Sequence, residues 1–261
     1  MNILFIGDVV GAAGCEYIRS ALPEKKQLLA ADIVIANGEN SAEGNGITKQ
    51  SAQHLFDSGV DVITTGNHAF RRREIYDIFD QNPYLIRPAN YTTDKTPGRG
   101  YTIIDMGAIS VCVINIMGTA YMDSLRNPFE VIDELLSKIS SKIIIVDIHA
   151  EATAEKLAFG NYLDGRVTAV LGTHTHVQTA DEMIFEKGTA YITDVGMTGP
   201  VNSCLGIKTE QAIERFITRM PVRFDTAEGP CKMNAVLLEI DNNLGKCTKI
   251  SRVVSNNLNK I

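Results

Sequence analysis

What this chain lacks narrows it first. Its five cysteines, Cys15, Cys112, Cys204, Cys231 and Cys247, are odd in number and include no C-x-x-C pair. That argues against zinc-ribbon and thioredoxin-type motifs and fits a reducing, cytoplasmic compartment. No apolar run reaches the roughly 18 residues of a membrane span. The opening MNILFIGD has neither the basic stretch nor the long apolar core of a secretory signal, so no membrane association is expected. Basic residues are in the minority, 25 against 31 acidic, for a net charge of −6. An extended nucleic-acid surface is therefore not expected, although local cations could still hold a small anion. There is no G-x-S-x-G elbow for a serine nucleophile. The spaced glycines of FIGDVVGAAG do not form the G-x-G-x-x-G of a dinucleotide site.

What is present suits a globular protein with a sizeable core: 261 residues, 44% apolar and 21% charged. Short apolar runs, rich in Ile and Val, recur at 2–6, 32–36, 60–64, 110–116, 142–148, 167–171 and 190–193. Runs apolar over successive positions read as strands buried on both faces. Between them, 48–58 opens at a Thr48 cap and ends at Gly59, 72–80 and 128–140 read as helices with Pro128 in a first turn, and 151–163 is a further candidate. Strand and helix alternate, so the class is α/β. Residues 234–240 and 248–254 flank the turn-like DNNLG and predict a hairpin. The Pro- and Gly-containing stretch 82–100 reads as a long irregular connection of the kind that borders a site. With no repeat and no linker, residues 1–261 are expected to form one domain.

The polar residues fall where ligands bind in open α/β sheets, just past the carboxyl ends of the strands. Asp8 follows the first run, Glu39 and Asn40 the second, Asn67 and His68 the third. His149 ends IIIVDIH, and His174 and His176 follow AVLG in GTHTH. Each has a plain alternative. Asp8 could cap the next helix, Asn67 could supply a positive-φ turn, and Glu39 could be a solvated loop acid. His149 could be a hydrogen-bonded structural residue, His68 a surface turn residue, and His174 with His176 a polar turn. Their shared position weighs against reading them separately. His54, inside a helical segment, reads as structural or solvated. The run Arg71, Arg72 and Arg73 is either a solvated helix start or an attraction for phosphate.

Carboxylate and amide oxygens mixed with imidazoles suit Fe, Mn or Zn. Seven candidate ligands, Asp8, Glu39, Asn40, Asn67, His149, His174 and His176, are too many for one ion that keeps a position open for substrate. Two ions sharing a carboxylate would use them better, and a pair roughly 3.5–4 Å apart is the clamp of phosphoester hydrolysis.

The order GD, NGEN, GNH, HAE, GTHTH resembles the calcineurin-like metallophosphoesterases. More narrowly, FIGDVVG, NGENSAEGNGIT, TTGNHAF, RPANY, PGRG, IHAEATAEK, GTHTHVQTADE, YITDVGMTGP and AEGPC resemble the bacterial YmdB-type branch, the 2',3'-cyclic-nucleotide 2'-phosphodiesterase family. These stretches run from near the N-terminus to about Cys231. The resemblance implies a four-layer α/β/β/α sandwich with a dinuclear centre. Asp8, Glu39, Asn40 and His176 would hold one metal. Glu39, Asn67, His149 and His174 would hold the other, with Glu39 bridging. His68 would protonate the leaving oxygen. Iron is the implied metal, with manganese as a substitute. The wider superfamily begins D-x-H, but here the third position is Val10, which cannot ligate, and Asn40 would take up the vacated place. Phe70 stands where many relatives have tryptophan, which alters the substrate wall and leaves the ligand set intact. The implied activity is hydrolysis of a small phosphodiester, a 2',3'- or 3',5'-cyclic nucleotide; a homo-oligomer is expected on general grounds only. A phosphomonoesterase or nucleotidase using the same centre is the alternative within the enzyme class. A non-catalytic metal or nucleotide sensor is the alternative outside it.

Overall fold

A computed structural model describes residues 1–43, 45–93 and 95–257. Gly44, inside the NGENSAEGNGIT stretch, and Asp94, inside the connection 82–100, lie outside the described residues. In chain order the elements are β1 (Asn2–Ile6), β2 (Asp8–Val9), α1 (Gly11–Leu28), β3 (Ile33–Asn37), α2 (Lys49–Asp57), β4 (Val62–Thr64), α3 (Tyr76–Gln81), β5 (Tyr101–Asp105), β6 (Ser110–Met117), α4 (Pro128–Leu136), β7 (Ile143–His149), α5 (Thr153–Tyr162), β8 (Ala169–Thr173), β9 (Met183–Ile184), β10 (Ala190–Ile192), β11 (Met197–Pro200), α6 (Thr209–Thr218), β12 (Cys231–Asp241) and β13 (Lys246–Asn256).

The strands form two sheets. One runs β2-β11-β12-β1-β3-β4 with β13 on the far side of β12, and the other runs β5-β6-β7-β8-β10-β9. Alternation along the strands explains how the layers stack, because successive side chains point to opposite faces. Leu4, Ile6, Val34 and Ala36 pack under Ile18, Leu22 and Leu55 of α1 and α2. Their neighbours Ile3, Phe5, Ile33 and Ile35 meet Val111, Val113, Ile143 and Ile145 of the second sheet. The opposite face of that sheet, with Ile114, Ile116, Val146 and Ile148, packs on Ile132, Phe159 and Leu163 around α4 and α5. The result is the helix–sheet–sheet–helix sandwich. Each fully buried Ile or Leu contributes about 1.5–3 kcal/mol relative to exposure.

Local signals place several boundaries. Thr48 caps α2 and shares a capping box with Ser51, and Gly59 follows that helix at φ +100. Asn127 caps α4, with Pro128 at its first position. The segment expected as a helix over 72–80 begins as a 3-10 turn, Arg73–Ile75, before α3. The connection 82–100 carries no strand or helix among its described residues. The C-terminal hairpin is longer than the pattern suggested, with 11 residues in each strand. The longest helix, α1, was not picked out, since its glycines and an internal Pro23 obscure its period. Among the described residues no helix is long and apolar enough to cross a membrane.

Candidate metal centre

The two sheets present the ends of β1, β3, β4, β7 and β8 to one place. There the strand-end residues meet, and most of the plain alternatives fail on geometry. Asp8 does not cap α1, whose N-cap is Val10 with no side-chain hydrogen bond. It is fully buried; its Oδ2 accepts from the His174 N–H at 3.1 Å, and its Oδ1 has no hydrogen-bond partner. Asn67 is not among the positive-φ residues. Its Oδ1 faces His149 Nε2 at 3.0 Å. Glu39 is no solvated acid, being 1% exposed. Its Oε1 lies 3.2 Å from His149 Nε2, and its Oε2 accepts from the His68 N–H at 2.9 Å.

One half of the cluster surrounds His149 Nε2. Glu39 Oε1, Asn67 Oδ1 and His174 Nδ1 all approach that nitrogen, at 3.2, 3.0 and 3.1 Å. Ligand atoms of Glu39, His149 and His174 lie within 4.8 Å of one another. His149 Nδ1 sits 2.9 Å from Thr173 Oγ1, which donates to Asp147, so Nε2 is the nitrogen turned to the cluster. Three electron-rich atoms gathered on it call for positive charge there, the ring's own proton or a metal ion in its place. The other half contains Asp8, Glu39, Asn40 and His176. His176 Nε2 lies 3.7 Å from Asp8 Oδ1 and 3.3 Å from Asn40 Nδ2, while its Nδ1 donates to the Leu205 carbonyl at 3.0 Å. The unpartnered Asp8 oxygen belongs to this half, and the donor set fits a metal ion on both counts.

The electrostatics follow from burial and mutual charge. Burial raises the Asp8 carboxyl, with His176 and His149 working against it. Burial also acts to raise Glu39, but His149 and His68 overcome it and hold the group down at about 2. His149 is the converse. Burial works to lower it, while Glu39, Asp8 and Asp147 win and bring it to about 9. Burial, then His149, push His174 down to about 4. His68 is lowered chiefly by burial, with Glu39 partly compensating. His68 Nδ1 lies 3.0 Å from Asn40 Oδ1, and its ring lines a cleft of ≈ 420 Å³ together with Glu39, His174 and His176. A larger cavity of ≈ 910 Å³ lies beside the cluster rather than on it, and shares Ala42, Asn45 and Phe224 with the cleft.

The GTHTH segment is an irregular turn, as its two-apart histidines require. His174 has φ 105 and His176 φ 65. In a flat strand both rings would share one face. The turn is held by Asp194, whose Oδ2 accepts from the Thr175 N–H at 2.9 Å and the Thr175 hydroxyl at 2.7 Å. The same oxygen takes the fully buried Lys156 ammonium at 2.8 Å. Asp194, Lys156, Asp147 and Thr173 are site residues that the sequence reading missed. The signal available was a charge inside an apolar run, Asp147 in IIIVDI and Asp194 in YITDVG. Glu151 was missed too; its Oε2 lies 3.1 Å from His174 Nε2. His54 sits on α2 outside the cluster, 3.8 Å from Glu16. Arg72 is partly exposed, and its guanidinium donates to the carbonyls of Glu43 and Asn45 rather than to the cluster.

Comparison with known proteins identifies the family. The chain matches the family described as YmdB-like protein over residues 4–253. It is 47% identical over 258 residues to a 2',3'-cyclic-nucleotide 2'-phosphodiesterase of Bacillus subtilis, covering 98% of this chain and 97% of that one. A protein from Thermus thermophilus of solved structure superposes with a TM-score of 0.93 at 41% identity, over 98% of this chain and 99% of the other. A phosphatase from Mycoplasma pneumoniae gives the same TM-score at 36% identity, over 98% and 93%. Family match, identity and fold agree over nearly the whole length, and the chain belongs to the YmdB-like protein family.

Proposed function

We propose that this protein is a metal-dependent phosphodiesterase that hydrolyses cyclic nucleotides, 2',3'-cyclic and also 3',5'-cyclic, with residues 1–261 acting as one catalytic domain. The observation that carries the reading is the position of Glu39. Its buried carboxylate lies between the Asp8–Asn40–His176 half of the cluster and the Asn67–His149–His174 half, where a bridging ligand would stand. Two ions, iron with manganese as a substitute, fit this donor set, with Asp8, Glu39, Asn40 and His176 on one and Glu39, Asn67, His149 and His174 on the other. When bound, the metals would neutralise the phosphate and supply hydroxide at neutral pH.

The chain's own residues supply orientation and the proton. His68 is not needed as a ligand, and its ring lines the cleft. We assign it protonation of the departing ester oxygen, a role worth about 10²–10⁴-fold. The form that can do this is the imidazolium, which gives up its Nε2 proton and returns to neutral imidazole. As placed, Asn40 turns Oδ1 toward His68 Nδ1 at 3.0 Å, where it accepts the other ring proton of that form. The flipped amide, which would turn its oxygen to a cation, would donate Nδ2–H to Nδ1 and hold the ring neutral. A phosphomonoesterase or nucleotidase using the same centre is a second reading, supported by the M. pneumoniae relative being described as a phosphatase. The deciding experiment measures metal content alongside turnover of 2',3'- and 3',5'-cyclic nucleotides and of the matching monoesters. Hydrolysis of cyclic diesters by the metallated protein is expected. Metallated protein that cleaves monoesters alone would reverse the order of the readings, and no turnover on any would favour a sensor.

A further inference from the structure

The metal cleft adjoins more room than a mononucleotide needs. Pockets for small ligands run to about 300–1,000 Å³. The cleft, at ≈ 420 Å³, already falls in that range. The cavity beside it adds ≈ 910 Å³, and the two have Ala42, Asn45 and Phe224 as common wall. A cyclic mononucleotide held by its phosphate at the metal cluster leaves that second space without a purpose.

The wall of the cavity has the makings of a site for a single-stranded phosphodiester chain, which are cations, hydrogen-bonding groups and an aromatic face. Phe224 stands at the junction of cleft and cavity and is 38% exposed. Arg223, next to it, is exposed and has neither a hydrogen bond nor an ion pair among the described residues. Thr48, Gln50 and Ser51 bring the N-terminal turn of α2 to the wall, where the helix dipole favours negative charge. Arg72 lines the cavity too, while it grips the carbonyls of Glu43 and Asn45. Three acids share this wall, and two of them are already matched. Glu16 lies 3.9 Å from Arg19, and Asp225 lies 3.8 Å from Lys208. Arg223 is therefore free to meet an anion that enters from the cleft.

We propose that the adjoining cavity is a subsite for the penultimate nucleotide of a short RNA, which extends the substrate class to oligoribonucleotides ending in a 2',3'-cyclic phosphate. The chemistry rests on the phosphodiesterase reading above, and the reach rests on the cavity. The cyclic end occupies the cleft, the penultimate base stacks on Phe224, and the internucleotide phosphate meets Arg223. One water is consumed: its oxygen joins phosphorus, the P–O2' bond breaks, and the 2'-oxygen leaves as a hydroxyl, giving a 3'-phosphate end. Cyclic ends form where a ribose 2'-hydroxyl attacks its own neighbouring phosphate, so a strand-cleaving reaction of that class supplies the substrate. With a net charge of −6 the chain has no long basic track, and the subsite is short.

The test compares adenosine 2',3'-cyclic phosphate with adenylyl-adenosine carrying a terminal 2',3'-cyclic phosphate, on the metal-loaded protein. The dinucleotide should show a kcat/KM about 10-fold higher, chiefly through a lower KM, the effect of one stacked base. Arg223→Glu should bring the ratio of the two substrates down toward one, and Arg223→Lys should keep part of the preference. Added salt should shrink it as well. Equilibrium titration with the matching 3'-phosphates, which needs no turnover, should show the same preference and the same dependence on Arg223. Hydrolysis of the mononucleotide with no gain for the dinucleotide, or a gain indifferent to Arg223→Glu, would overturn the subsite and leave the catalytic reading standing. Turnover of neither compound would overturn the catalytic reading, with the titration still deciding the subsite.

Discussion

At the scale of single residues, the centre is a set of acceptor atoms gathered around one imidazole nitrogen. Glu39, Asn67 and His174 all face one nitrogen of His149, and Asp8 keeps an oxygen with no partner. His68 stands apart, tied to the cluster only through Asn40 and Glu39. His68→Ala should therefore retain its metals while losing about 10²–10⁴-fold in turnover on an alkyl diester. The loss should be much smaller on a substrate with a good leaving group, and metal analysis beside the two rates checks this. Asn40→Asp makes a sharper case. It preserves an oxygen for the metal and leaves a carboxylate oxygen to accept from His68 Nδ1–H, which favours the imidazolium that carries the Nε2 proton. Metal content should hold, and the alkaline limb of the alkyl-diester pH–rate profile should move to higher pH. An unmoved profile with full metal would remove Asn40 from this role.

At the scale of elements, the turn after β8 carries the most. Two positive-φ histidines, His174 and His176 on either side of Thr175, are strained for L-residues, and the surrounding structure must enforce them. Asp194 does so through Thr175, and Lys156 on α5 neutralises it where both are fully buried. Lys156→Met leaves that carboxylate without its cation. Breaking a buried pair on one side costs about 3–5 kcal/mol, so a clear fall in melting temperature is expected, with weaker metal retention because the turn loosens. Gly66, after β4, lies directly against the ligand side chains. A Cβ there would sit 2.2 Å from His149 Cδ2 and 2.5 Å from Glu39 Oε2. Gly66→Ala should displace these ligands and lower metal stoichiometry even where circular dichroism shows the fold intact.

At the scale of the whole molecule, the sandwich buries the pair Glu39–His149 far enough for its charges to govern folding and metal uptake together. In the metal-free protein His149 is raised to about 9, so its contribution is fully present below its unfolded value of 6.5 and is lost as pH rises through about 9. Glu39 is depressed to about 2, so its contribution is present above its unfolded value of 4.5 and is lost as pH falls through about 2. The pair therefore stabilises the metal-free protein most between about 4.5 and 6.5. Metal must displace the His149 proton, so affinity should climb with pH up to about 9. Calorimetry in buffers of different ionisation enthalpy should detect proton release at neutral pH, and its absence would contradict the raised His149. The sequence by itself determined the α/β class, most of the buried strands and the roster of polar groups at their ends. These are local matters of period and position, readable because Ile- and Val-rich runs stop abruptly at Asp8, Glu39, Asn67 and His149. It could not determine that β1, β3 and β4 would face β7 and β8 across one core, because that pairing joins residues far apart in the chain, 83 positions at Thr64–Asp147 and 110 at Asn37–Asp147. Only the tertiary structure decided that Asp8 leaves its helix uncapped, that Lys156 reaches Asp194, and that α6 is left with its apolar face outward. Each depends on which surfaces meet in space, and no sequence period encodes that.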